Sequence, residues 1–143
     1  MDGAIAANKE ALKYDPTLAP VHINLGNALR GKGDLDGAIT AYKEAIKHDP
    51  KDTYAHNNLG AVYLAQKKYP EAIACARAAI ESNPQHSNAH ALLGHLLQLR
   101  GDLPGARAAL TEAAELDPRW KPMLAKLPPV PIAPAPRPVP PKP

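Results

Sequence analysis

The stretch His56-Asn57-Asn58-Leu59-Gly60-Ala61-Val62-Tyr63 decides the architecture, because it recurs at a fixed interval. Moving 34 residues back gives His22-Ile23-Asn24-Leu25-Gly26-Asn27-Ala28-Leu29. Moving 34 residues forward gives His90-Ala91-Leu92-Leu93-Gly94-His95-Leu96-Leu97. A constant period of this length outranks local reading, because it is the signature of stacked supersecondary units.

With position 1 at Ala19, Thr53 and Ser87, the other matches fall into register. Position 4 is His22, His56 and His90, and position 7 is Leu25, Leu59 and Leu93. Position 8 is Gly26, Gly60 and Gly94, where two helices can approach closely. Ala38, Ala72 and Ala106 share one position, and Ala45, Ala79 and Ala113 another. Each unit ends in an Asx-Pro pair, Asp49-Pro50, Asn83-Pro84 and Asp117-Pro118, which cannot continue a helix. Positions 4, 7 and 11 form one amphipathic stripe.

These residues closely resemble the tetratricopeptide repeat, a helix-turn-helix unit. The resemblance implies an all-α, right-handed superhelix. Its repeats are 19–52, 53–86 and 87–120, preceded by a half repeat at 2–18. The expected helices are about 19–31 and 35–48, 53–66 and 70–82, then 87–100 and 103–116. Asp34 and Asp102 are expected N-caps, and Pro70 and Pro104 fall in first turns. The family favours a large aromatic at position 4, so the three histidines predict weaker packing there.

Asp2-Gly3-Ala4-Ile5 matches Asp36-Gly37-Ala38-Ile39, so residues 2–14 read as a second helix without its first. That leaves one face uncovered and favours self-association or fraying. The expectation is a piece of a longer protein. Residues 119–127 read as a capping helix, with Trp120, Met123, Leu124 and Leu127 covering the last repeat. The solenoid is thus expected over 1–127, followed by a Pro-rich, polyproline tail at 128–143 that contains nine prolines. Arg137-Pro-Val-Pro140-Pro-Lys-Pro143 fits the RxxPxxP spacing read by aromatic grooves. The tail is either a linker to a further domain or a ligand.

The net charge is +3, but residues 1–118 hold 12 Lys and Arg against 14 Asp and Glu. The basic excess sits in the C-terminal stretch, which argues against a nucleic-acid groove in the repeats. One cysteine gives no intrachain disulfide. No apolar run approaches the roughly 20 residues that span a bilayer, so a membrane role is not expected and the cytoplasm is.

Chemistry-bearing constellations are scarce. Equivalent histidines stand about one helix spacing apart, roughly 8–10 Å, whereas zinc needs ligands about 2 Å from one point. His86 and His90 could form half a site, but no third ligand follows, so no metal or cofactor is expected. Cys75 has no nameable base or orienting partner and reads as a structural thiol. The chain reads as non-catalytic.

The concave face is the candidate site. In proteins that this chain resembles, first-helix positions 2, 5, 6, 9, 12 and 13 line the groove. Here they supply Pro20, Ile23, Asn24, Asn27 and Arg30, then Tyr54, Asn57, Asn58, Ala61 and Leu64, then Asn88, Ala91, Leu92, His95 and Gln98. Asn is a mediocre helix former, so a row of it on one face needs a reason. Its amides can hold a peptide backbone. The expected peptide-binding set is Asn24, Asn27, Arg30, Tyr54, Asn57, Asn58, Asn88 and His95. Repeats that grip chaperone C-terminal carboxylates carry Lys and Arg at positions 2, 5 and 6, which are absent here. The pattern is more similar to the asparagine ladder of the O-linked N-acetylglucosamine transferase superhelix, with Leu92 breaking the row. The phrasing also resembles, loosely, arrays appended to bacterial multidomain Ser/Thr kinases, without any kinase motif. The expected partner is a protein or peptide, including the Pro-rich tail of another copy, so homo-oligomers through the tail or the N-terminal half repeat are expected. The rival reading is a structural or oligomerising segment of a larger protein.

Overall fold

A computed structural model describes residues 1–129. The polyproline conformation expected for the tail beyond Pro129, and its RxxPxxP stretch, lie outside the described residues.

The described chain is helical throughout. The helices are α1 (Asp2–Tyr14), α2 (Ala19–Gly31), α3 (Leu35–His48), α4 (Thr53–Ala65), α5 (Tyr69–Ser82), α6 (Ser87–Leu99) and α7 (Leu103–Leu116). A 3-10 turn, Pro118–Trp120, leads into the short α8 (Lys121–Ala125). The closest pairs are α2 with α3, α4 with α5 and α6 with α7, and each pair then packs on the next. First helices touch first helices, α2 to α4 and α4 to α6, and so build one continuous inner face.

The repeated glycines explain the tight pairing. A Cβ at Gly26 would lie 2.6 Å from Tyr42 Cε1, and one at Gly94 would lie 2.6 Å from Leu110 Cγ. At Gly60 it would meet Leu92 Cδ2 at 2.9 Å and Cys75 Cβ at 3.2 Å. The small residues opposite are equally committed. Ala38, Ala72 and Ala106 are 0% exposed. Their counterpart Ala4 on α1 is exposed, and α1 has no buried residue.

The turns between helices follow from the caps. Asp34 Oδ1 accepts from Gly37 N at 2.9 Å, and Asp102 Oδ1 from Gly105 N at 2.9 Å. Asp52 caps α4 in the same way, at 2.8 Å from Ala55 N. The Asx-Pro turns close on themselves. Asp49 Oδ1 takes the Lys51 amide at 3.1 Å, Asn83 Oδ1 that of Gln85 at 3.0 Å, and Asp117 Oδ1 that of Arg119 at 3.0 Å.

Position 4 makes a bond that the family preference for an aromatic does not suggest. The imidazoles of His22, His56 and His90 place Nε2 at 2.8, 2.9 and 2.7 Å from the carbonyls of Pro16, Pro50 and Pro84. A carbonyl only accepts, so Nε2 carries the proton. Each histidine thus ties its helix to the preceding turn, which an apolar aromatic could not do. His22 also stacks on His48, ring centroids 5.7 Å apart.

The C-terminal cap differs from the single helix expected at 119–127. Pro122 has no N–H to return to the carbonyl of Pro118, so the first turn tightens to 3-10 and α8 starts afresh. Leu127 is nonetheless buried, and Trp120, Met123 and Leu124 pack against the same core as Leu96, Leu97 and Leu110.

Candidate functional site

Among the described residues, an open groove lies near the C-terminal end of the inner face, with a volume of about 370 Å³. Ala61, Leu64, Ala91 and Leu92 from α4 and α6 supply apolar surface, with Met123 of the cap. Asn57, Asn88, His95, Arg119 and Trp120 complete its lining, and none of these lining residues is an acid.

The alternation of helix faces puts these side chains there. Asn57, Ala61 and Leu64 stand one helical turn apart on α4, as do Asn88, Ala91 or Leu92, and His95 on α6. The cap closes the end. Arg119 Nη2 donates to Asn88 Oδ1 at 2.6 Å, and Arg119 Nε donates to Asp117 Oδ2 at 2.7 Å. The guanidinium carbon lies 5.3 Å from the centre of the Trp120 ring, within cation–π range. Arg119 is therefore held from three sides, although its side chain is 59% exposed.

The expected site residues separate into groups. Asn57, Asn88 and His95 come together in the groove. Asn58 and Asn27 bond to each other outside it, Asn58 Nδ2 donating to Asn27 Oδ1 at 3.2 Å. The same Asn27 oxygen accepts the hydroxyl of Tyr42 at 2.7 Å. Tyr42 is completely buried, and burial raises its pKa above the usual phenol value. Asn27 thus satisfies a core hydroxyl, and its oxygen is already committed. Asn24 and Arg30 are exposed on α2, away from the groove lining. Tyr54 is 64% exposed and sets its ring edge-on to His86, centroids 5.3 Å apart.

Arg119 was missed by reading the first-helix positions alone, and Trp120 and Met123 were read only as cap residues. The 34-residue register carried past Pro118 gives no groove signal: it sets Met123 where Ala55 and Ala89 are buried in the core, and Trp120 where Asp52 and His86 cap helices.

Burial pushes the Cys75 thiol up to about 11, which leaves it protonated at neutral pH and inert. Among the described residues no His, Cys, Asp or Glu cluster could hold a metal ion. No described helix is long and apolar enough to cross a membrane.

Stacked helix pairs with a concave inner groove and a closing cap define a helical-repeat solenoid. The chain belongs to the tetratricopeptide repeat proteins: family profiles described as TPR repeat and tetratricopeptide repeat match residues 26–67, 53–86 and 87–112. No curated protein matches the chain by sequence. Among solved structures it is similar to MamA, at 27% identity and a TM-score of 0.77, over 82% of this chain and 68% of that one. A MamA RS-1 double mutant aligns at 26% identity and a TM-score of 0.77, over 86% and 71%. The first TPR of Spaghetti (RPAP3), solved bound to the HSP90 peptide SRMEEVD, shares the fold at 24% identity and a TM-score of 0.73, over 76% and 89%.

Proposed function

We propose that this chain is a non-catalytic scaffold for protein–protein interaction, working in the cytoplasm, and that it takes an extended peptide along its inner face. The observation that carries the reading is the groove between α4, α6 and the cap. It has the size of ligand pockets generally, and combines apolar surface with a few oriented polar groups. Asn57, Asn88 and His95 are the groove residues proposed to meet the peptide, with Asn58 beside them. Asn24, Asn27, Arg30 and Tyr54 would contribute only where a longer ligand runs on towards α2.

The test uses degenerate peptide pools titrated against the full chain. Trp120 is the only tryptophan and lines the groove, so its emission reports occupancy. Pools should change that emission in the wild type and not in Ala61→Arg, which fills the groove from a half-buried site outside the helix-pair core. An unchanged spectrum with every pool sinks the reading. Asn58→Ala should weaken a long peptide by about 1 kcal/mol for the lost hydrogen bond and leave the melting temperature nearly unchanged.

A second reading, self-association through α1, is favoured by the exposure of Ala4 where its counterparts are buried. Light scattering over a wide concentration range tests it. A constant monomer mass would exclude it. The same measurement on a chain ending at Leu127 separates association through α1 from exchange of the Pro-rich tail.

A further inference from the structure

We infer that the groove selects peptides carrying an acidic side chain beside an aliphatic one, with Arg119 receiving the carboxylate. The inference rests on the peptide-binding reading above and adds a sequence preference to it.

Arg119 is preorganised. Its Nη2 is spent on Asn88 and its Nε on Asp117, and its plane lies by Trp120. A guanidinium carries five N–H donors in a fixed fork, so Nη1 keeps donors that have no partner among the described residues. Because the group is already held, binding a ligand costs less side-chain entropy than recruiting a free arginine.

The groove around it is complementary to an anion. It is lined by Arg119, His95 and two asparagines and by no Asp or Glu. Asp117, which does not line the groove, offsets the positive charge, so what the groove presents is a directed donor more than a bare cation. A carboxylate accepts such a bond more strongly than a neutral carbonyl. The apolar requirement comes from Leu64, Ala91, Leu92 and Met123, which offer a place for one aliphatic side chain next to the carboxylate. Repeats 1 and 2 carry Lys51-Asp52 and Gln85-His86 where this end has Arg119-Trp120, so the feature belongs to the cap and not to the repeat pattern. It also uses none of the first-helix positions at which carboxylate-gripping repeats place Lys and Arg.

The experiment is a positional-scanning hexapeptide library, acetylated and amidated, with Glu, Gln or Leu fixed at one position at a time. Binding to the full chain is read by Trp120 emission and confirmed by calorimetry on the best peptide. Glu should be selected at one position with Leu beside it. Replacing that Glu with Gln should weaken binding about fivefold or more, equivalent to about 1 kcal/mol. Arg119→Gln should bind both peptides equally, at the level of the Gln peptide, and its unaltered circular dichroism melt would show that the fold is kept. Should Arg119→Gln lower the melt, Asn88→Ala serves instead: it releases Arg119 and should shrink the Glu preference. Binding without a Glu preference, or a preference untouched in both variants, overturns the inference and leaves the peptide-binding reading standing. A need for a free C-terminal carboxylate, or tighter binding of a peptide spanning residues 130–143, also overturns it. Failure of every pool to bind removes both.

Discussion

His56 Nε2 and the carbonyl oxygen of Pro50 are 2.9 Å apart, and the pair recurs one repeat earlier and one repeat later. The bond joins each first helix to the turn that delivers it. His22 is the buried member of the set. Replacing His22 with Phe would supply the aromatic that the family prefers but would strand the Pro16 carbonyl. We expect a loss of about 1 kcal/mol, measured by urea unfolding. An equal or higher midpoint would show that ring packing, and not the bond, sets this position.

The three close-approach glycines should differ in their tolerance of a methyl group. At Gly26 the added Cβ meets the rigid ring of the fully buried Tyr42, whereas at Gly60 its nearest neighbour is the end of the Leu92 side chain. Gly26→Ala should therefore cost about 2–3 kcal/mol and Gly60→Ala about 1 kcal/mol, both within the usual range for overpacking. Thermal melts of the two variants decide it. Gly60→Leu should abolish cooperative folding, while an exposed change such as Lys67→Leu should not.

Lys67 offers a gain. Its φ of 58° lies in the left-handed region, and its counterparts are Gly33 at 85° and Gly101 at 80°. Two repeats thus use glycine at a turn that costs a side-chain-bearing residue about 1 kcal/mol. Lys67→Gly should raise stability by about 0.5 kcal/mol after the entropy of the unfolded glycine is counted, seen as a small rise in melting temperature. A fall would mean that the lysine side chain stabilises the turn.

His86 gives a pH signature. Its Nδ1 accepts the Ala89 amide at 3.3 Å and so caps α6. Burial chiefly, with His90 and Arg119 adding, holds its pKa below the ordinary histidine value. The unfolded chain therefore binds the proton more readily than the folded one. The stabilisation is complete above about pH 6.5, the unfolded value, and is lost as pH falls through the lower folded value. His86→Asn keeps a capping acceptor without titrating, so its melting temperature should fall less than that of the wild type between pH 7 and 5. Parallel curves would assign the acid sensitivity to other histidines.

Much of the helix layout was legible because its punctuation is local. Asp34 and Asp102 announce helix starts, and Asp49-Pro50 and Asn83-Pro84 announce ends. Asn57, Asn88 and His95 could be placed on one face by counting from position 1. Asn27 could not be judged this way, since its oxygen is taken by Tyr42, which reaches it across the helix hairpin. The role of Arg119 depended on how the chain folds after Pro118, where prolines break the register into a 3-10 turn and a short helix. The histidine-to-proline bonds were hidden for a different reason: the family expectation at position 4 concerns shape, while the structure uses the ring nitrogen.

The buried side chains are unevenly spread along the solenoid. The largest core cluster joins α5, α6 and α7 to Leu127, whereas α1 contributes no buried residue. In a linear array each unit is stabilised only by its neighbours, so opening has a direction. Amide protons of α1 should exchange with solvent first and those of α6 and α7 last. The groove sits at the slow-exchanging end. Its shape would then outlast the fraying of the other end, and a ligand bound there would meet a surface that has already settled.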